Sequence, residues 1–312
     1  MDELIERGVG GFQDRAEFIG EAVESQILEL TYPEHGTQPS HRLRTPPSRA
    51  AVTSRRVDFS VTALGAPTAD PLSVAEAEVL RGNLFGLHNR DYPSLWAAHF
   101  LATRYVGPVA VDTFKDDVTS AAWDFGRLLG ELSGTSGARL TPIFPTNHDK
   151  PQSAIEGFHA FAIGEFLSSG NWMTVRGPLF GWRLCQLARR NGARLIGMTP
   201  LGLELLTKLE GITAEIPHAE PFARRFLEHL AEHAAEDFWG FETVLELVDQ
   251  GVTRNELVAA IGSLREDWTE SQRETNASGY ISRCREWGLV EPQQQKRRYV
   301  PTELGLKVLA EW

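Results

Sequence analysis

Asp112 and Lys115 stand three residues apart, with Asp116 and Asp117 alongside. That spacing suits a metal-dependent nuclease centre when a further carboxylate converges on it from a central sheet, and no run of alternating strands offers such a sheet. His229 and His233 are one helical turn apart, the i, i+4 spacing that can clasp a metal, yet no third ligand follows at a defined offset. Surface or half-buried histidines are the plainer reading. Cys185 and Cys284 lie far apart and show neither CxxC nor Cys/His spacing, so both are expected to be reduced, half-buried thiols. The sequence contains no GxxxxGK[ST], no GxGxxG after a strand, no HExxH and no GxSxG. The expectation is a protein that is not an enzyme and carries no metal or cofactor.

Arginine and glutamine offer more. A helix expected over Thr275 to Trp287, with the residues just before it, presents Arg273, Asn276, Ser278, Arg283 and Arg285. The segment that follows, LVEPQQQKRRYV (289–300), has strand-like ends around a polar middle that holds Gln293, Gln294, Gln295, Lys296, Arg297 and Arg298. Arg and Gln hydrogen-bond base edges in pairs, and Lys or Arg at a hairpin tip suits phosphate. A second helix, expected over Leu179 to Arg190, carries Arg183, Arg189 and Arg190 ahead of Arg194, with Trp182, Leu184, Leu187 and Ala188 on its core side. The competing reading is a solvated, charged hairpin on a domain that contacts protein.

Charge does not settle the choice. The 312 residues carry 31 basic and 42 acidic side chains, a net charge of -11, which repels nucleic acid unless the cations gather on one face. Only five lysines are present, so arginine supplies nearly all the positive charge, as in proteins from GC-rich genomes or salt-adapted archaea. At 42% hydrophobic and 23% charged residues the composition is that of a globular protein and excludes disorder throughout. No apolar run approaches the roughly 18 residues of a membrane span, and MDELIERG opens without a basic and apolar leader, so a cytoplasmic protein is expected.

The elements that would position these residues are mostly helical. Residues 1–30 read as two short helices about a glycine turn, with Phe18, Ile19, Ala22, Val23 and Ile27 on one apolar stripe and Asp14 and Glu17 as a capping pair. Residues 31–73 are interrupted by prolines, show little periodicity and read as a linker bearing Arg42, Arg44, Arg49, Arg55 and Arg56. Helical spacing covers 75–87, 94–105, 118–132, 154–169, 200–210, 222–233, 238–249 and 254–261. Short extended pieces fall at 138–144 and 194–198, and Thr302 to Trp312 closes the chain as a helix.

Two resemblances follow. GGFQDRAEFIGEAVESQI resembles the helix pair of a ribbon-helix-helix (CopG-like) regulator, which implies self-association through Phe18, Ile19, Ala22, Val23 and Ile27. The family's DNA-reading strand would precede Met1, and an unrelated amphipathic hairpin remains the alternative. RLIGMTPLGLELL (194–206) and RRYVPTELGLKVL (297–309) share a basic residue, an extended run, a Thr/Pro pair and a Leu-Gly-Leu helix start. This repeated junction, preceded by ISRCREWGLV (281–290), resembles the wing and closing helix of winged helix-turn-helix domains.

The resemblance implies a mainly α protein with short β-hairpin wings: a ribbon-helix-helix-like element lacking its strand at 1–30, a linker at 31–73, a helical module at 74–150 that reads as a divergent copy, a winged-helix-like module at 151–216 and a C-terminal winged helix-turn-helix at 217–312. It implies a prokaryotic, homodimeric, sequence-specific regulator of transcription that binds double-stranded DNA through Arg273, Asn276, Ser278, Arg283, Arg285, Gln294, Lys296, Arg297, Arg298, Arg189 and Arg190. The alternative is a tandem winged-helix scaffold, like a condensin accessory subunit or a defence-system component, that binds protein and reads no DNA.

Overall fold

The computed structural model describes residues 57–72, 79–81, 89–136, 139–169 and 172–312. The helix pair expected over 1–30 and the arginines of the linker lie outside the described residues. The chain divides into two compact units, Met1–Val57 and Asp58–Trp312. Every helix and strand among the described residues belongs to the second.

After a short 3-10 turn at Ser60–Thr62 come β1 (Val79–Arg81), α1 (Tyr92–Arg104), β2 (Val109–Ala110) and α2 (Val111–Ser136). Next are α3 (Pro151–Phe158), a π-turn (His159–Ile163), the hairpin β3 (Glu165–Ser169) and β4 (Trp172–Arg176), and α4 (Pro178–Gly181). A second hairpin, β5 (Cys185–Arg190) and β6 (Ala193–Met198), leads into α5 (Pro200–Lys208). The last part is α6 (Glu220–His233), α7 (Ala235–Val248), α8 (Arg254–Leu264), α9 (Glu270–Glu286) and α10 (Glu303–Glu311). The fold is mainly helical with short hairpins, as expected.

Sequence signals fix the helices of the last part. Thr253 and Glu256 form a capping box at the start of α8, and Thr269 and Gln272 form another at α9. Each satisfies two of the N–H groups that a helix start leaves open. The expected helix over 275–287 therefore begins earlier, at Glu270, because the cap lies at Thr269.

Three expectations fail. The helix expected over 179–190 is only α4; residues 185–190 are strand β5, paired with β6 from Cys185↔Met198 to Arg190↔Ala193. The helix expected over 154–169 stops in the π-turn and gives way to β3. Val79–Arg81, inside the helix expected over 75–87, is a strand that pairs parallel with β4. The base of the β3–β4 hairpin is a tight neck. A Cβ on Gly177 would lie 2.3 Å from the Cα of Gly164, so neither position admits a side chain.

The two ends of the unit repeat one plan. β2 pairs with β6, and β6 with β5, in the order β2-β6-β5. In the last part Val252 bridges Tyr299 and Val290 bridges Pro301, so the same order recurs with 252 outside, 299–301 central and 290 on the far side. In both, a helix precedes the first strand and a closing helix follows the last. The expected boundary at 150 consequently falls inside the first copy, since β2 and β6 share a sheet.

The repeated junction matches atom for atom. Thr199 N–H donates to the Leu184 carbonyl and Thr302 N–H to the Leu289 carbonyl, both at 2.9 Å. Thr199 Oγ1 donates to the Arg183 carbonyl at 2.5 Å and Thr302 Oγ1 to the Gly288 carbonyl at 2.6 Å. Each hydroxyl also caps its closing helix by accepting from Gly202 N–H or Gly305 N–H. Glycine is required at both places: a Cβ would meet the Leu184 carbonyl oxygen at 2.2 Å or that of Leu289 at 2.1 Å.

Candidate nucleic-acid interface

The expected DNA-binding residues separate into three groups. Arg283 and Asn276 are buried in the body of the protein, Arg283 completely. Neither can touch a nucleic acid, which corrects their assignment. They fall on the inward stripe of α9 with Tyr280, Cys284 and Trp287, all buried.

Arg273, Arg285 and Arg298 are engaged with the protein itself. Arg273 lies against Gly262, and its Nη2 donates to the Glu266 carbonyl at 3.2 Å. Arg285 stacks over the Tyr299 ring and donates to the Glu291 carbonyl at 3.2 Å. Arg298 donates to the Gly251 carbonyl at 2.6 Å and pairs with Glu256, the capping residue of α8. The Arg298 contacts pin the hairpin 290–301 to the start of α8, and Arg285 ties it to the end of α9.

The third group is exposed: Ser278 on α9, Gln294, Lys296 and Arg297 on the hairpin 290–301, and Arg189 and Arg190 at the end of β5. The exposed face of α9 also carries Glu270, Gln272, Glu274 and Thr275. That face is neutral to acidic, and the cations sit on the two hairpin tips.

The tips differ in backbone chemistry. Gln295 and Arg298 exchange N–H···O bonds of 2.9 Å across a two-residue turn whose central residues, Lys296 (φ 51°) and Arg297 (φ 64°), are both left-handed. The β5–β6 turn uses Asn191 (φ 51°) and Gly192 (φ 80°). Asn-Gly is the favoured pair for such a type I′ turn, whereas a left-handed residue with a long side chain costs about 1–2 kcal/mol. At the first tip the cost is electrostatic. Arg189 stands directly opposite Arg194 across the ladder, a like-charge pair that repels.

Behind the tips lies a seam of buried charge. Arg283 Nε donates to Asp91 Oδ1 at 2.6 Å, and its two Nη groups donate to Asp237 at 2.7 and 2.6 Å. Burial opposes the guanidinium's charge, but Asp237 and then Asp91 outweigh it and push its pKa up. Trp182 Nε1 donates to Asp237 at 2.7 Å, and Trp287 Nε1 donates to Asp91 at 2.6 Å. Phe226 lies between the two indoles, edge-on to Trp182 and stacked on Trp287. Tyr280 adds its hydroxyl to Asp237 at 2.5 Å.

Glu286 completes the seam from the end of α9. Its carboxylate accepts from Arg90 Nε at 2.9 Å and from the Asp91 and Tyr92 N–H groups, which are the open donors at the start of α1. Burial alone would raise its pKa; Arg90, His218 and the Asp91 N–H together hold it well below the usual carboxylate range. No local sequence signal marks Asp91 and Asp237, whose partners lie so far along the chain.

The other sequence candidates do not assemble a catalytic centre. Lys115 lies near Asp112 and Arg194, and Thr119 Oγ1 is 2.6 Å from His159 Nε2. Burial, with Lys115 next, pushes the His159 pKa down to about 4, so it is neutral at physiological pH. His229 is buried, with Nε2 2.7 Å from the Trp182 carbonyl, and no cluster of three metal-ligating side chains occurs among the described residues. No helix among them is long and apolar enough to cross a membrane. Comparison with protein-family models, with curated proteins and with solved structures finds no match to this chain.

Proposed function

We propose that the chain is a double-stranded DNA-binding protein of winged-helix type that holds the phosphate backbone with its hairpin tips, acting as a regulator of transcription. The supporting order of elements is helix, edge strand, helix, helix, hairpin, closing helix, present at 235–311 and again, with an inserted hairpin, at 92–208. The observation that carries the reading is the turn at Lys296 and Arg297. Two cations occupy positions where Asn-Gly would be less strained, and such local cost is kept where the displayed side chains are used. Sequence reading by α9 falls to Gln272, Thr275 and Ser278, with Gln294 on the hairpin, because Arg283 and Asn276 are buried.

Glu270 and Glu274 favour a second reading on the face of α9 itself: a scaffold whose acidic helix meets a basic protein. Anisotropy titrations of the full chain against a duplex at several salt concentrations separate the two. The DNA reading expects binding that weakens linearly with log salt. A Lys296→Ala/Arg297→Ala variant should lose about 1.8 from that slope, or 0.9 per phosphate contact. A folded chain that binds no duplex even at low salt would overturn the DNA reading and leave the scaffold.

A further inference from the structure

The seam is an exchange between equivalent residues. Trp182 and Trp287 occupy the same place in the two copies, each ending the helix before the hairpin and each followed by a left-handed residue, Arg183 (φ 57°) or Gly288 (φ 69°). Asp91 and Asp237 likewise stand at the start of the first helix of each copy. The tryptophan of the first copy donates to the aspartate of the second, and the tryptophan of the second donates to the aspartate of the first. Residue i meets j while the counterpart of j meets the counterpart of i. That is the contact pattern of a two-fold homodimer.

The centre of the exchange shows the same logic. Counting four back from each tryptophan gives Arg283 in the second copy and Pro178 in the first. One guanidinium therefore spans both aspartates. Such a fully buried, hydrogen-bonded ion triad resists sliding, because displacing either copy would strand charge in the buried interior. Phe226, from α6 between the copies, fills the space between the two indoles.

We infer that one chain is its own dimer: the copies at 92–208 and 235–311 are the two half-modules of a two-pronged DNA reader, and both hairpins, Arg189/Arg190 and Lys296/Arg297, engage the same duplex from a single chain. The inference rests on the DNA-binding reading above. It goes further in assigning a binding role to the first hairpin and in making the pairing of half-modules intramolecular. A regulator with one winged helix per chain needs two chains to place two hairpins on a duplex; here the welded seam does that within one.

The test uses the full chain in three forms: Arg189→Ala/Arg190→Ala, Lys296→Ala/Arg297→Ala, and the combination of all four. All four residues are exposed, so each variant should melt with the wild type. Salt slopes are measured on duplexes of increasing length, with the two double variants also mixed in equal amounts. Prongs acting from one chain predict a slope loss of about 1.8 for each double variant and about 3.6 for the combination, on duplexes long enough to meet both hairpins. They also predict that the mixture binds no better than the better of its components. If Arg189→Ala/Arg190→Ala leaves the slope unchanged, or if mixing restores wild-type binding, the prongs do not act from one chain and the inference fails while DNA binding stands. Absence of binding by the wild type would remove both.

Discussion

The hairpins β5–β6 and 290–301 leave a buried tryptophan, reverse through two left-handed residues and return to a threonine-capped helix by the same hydrogen bonds. They differ where they meet solvent. The first turns on Asn191 and Gly192, which take that backbone readily, and carries its cations on the strand ends at Arg189, Arg190 and Arg194. The second puts the cations in the turn itself, at Lys296 and Arg297, and its strands shrink to isolated bridges. The first hairpin is held by a regular ladder of six residue pairs between β5 and β6 and by β2 alongside β6. The shorter one is tied down by Arg298 to Gly251 and Glu256 and by Arg285 to Glu291. The comparison teaches that the junction is the conserved machinery of the repeat, while the tip is free to differ.

The seam holds that comparison together and should give the largest effect when broken. Arg283→Met leaves Asp91 and Asp237 buried without their shared cation. It should cost about 3–5 kcal/mol in chemical denaturation. Retention of near-wild-type stability would mean that the two aspartates find other partners and that the copies are not welded through this residue.

The junction glycines give the next largest effect. Gly202→Ala and Gly305→Ala each drive a methyl group into a backbone carbonyl at nearly the same distance, so each should cost about 2 kcal/mol, and the two losses should be alike. A large loss at one glycine and none at the other would show that the two junctions are alike in outline only.

Grafting one tip onto the other is the smallest and sharpest change. Lys296→Asn/Arg297→Gly gives the second hairpin the turn of the first, and should raise stability by about 1 kcal/mol by relieving two left-handed side chains. The same variant should bind duplex DNA with a salt slope about 1.8 lower. A graft that fails to stabilise would show that Lys296 and Arg297 sit at those angles without cost.

Much of the helical part was legible because it announces itself locally. Thr253 with Glu256 and Thr302 with Gly305 mark helix starts, and the paired Leu-Gly-Leu segments mark the repeat before any coordinate is known. The misread stretch is CQLARR (185–190), whose Leu, Ala, Gln and Arg favour a helix by intrinsic preference. Pairing with β6 outvotes that preference. Asn191-Gly192 marks a turn directly after it, and only a strand before that turn lets the pair close a hairpin.

Arg283 reads as a DNA contact when its charge is taken ahead of its place in the helix period. It lies on the stripe that also holds Asn276, Tyr280 and Trp287, and that spacing places it inward. Its partners, Asp91 and Asp237, lie in other helices far away in sequence, and no spacing rule links them.

The neck at Gly164 and Gly177 has a consequence for how this chain can change over time. The main chain enters and leaves the β3–β4 hairpin at a single point, since the backbones there touch with nothing between them. Residues 165–176 are therefore an excursion whose ends are already joined, and its length does not enter the geometry of α4 or of the π-turn. The part of the β3–β4 hairpin beyond Val175, which is buried in the core, can be extended or trimmed, and among the described strands β1 registers the loss. Two glycines thus make the hairpin beyond Val175 a place where descendants of the chain can acquire new sequence without disturbing the fold that carries it.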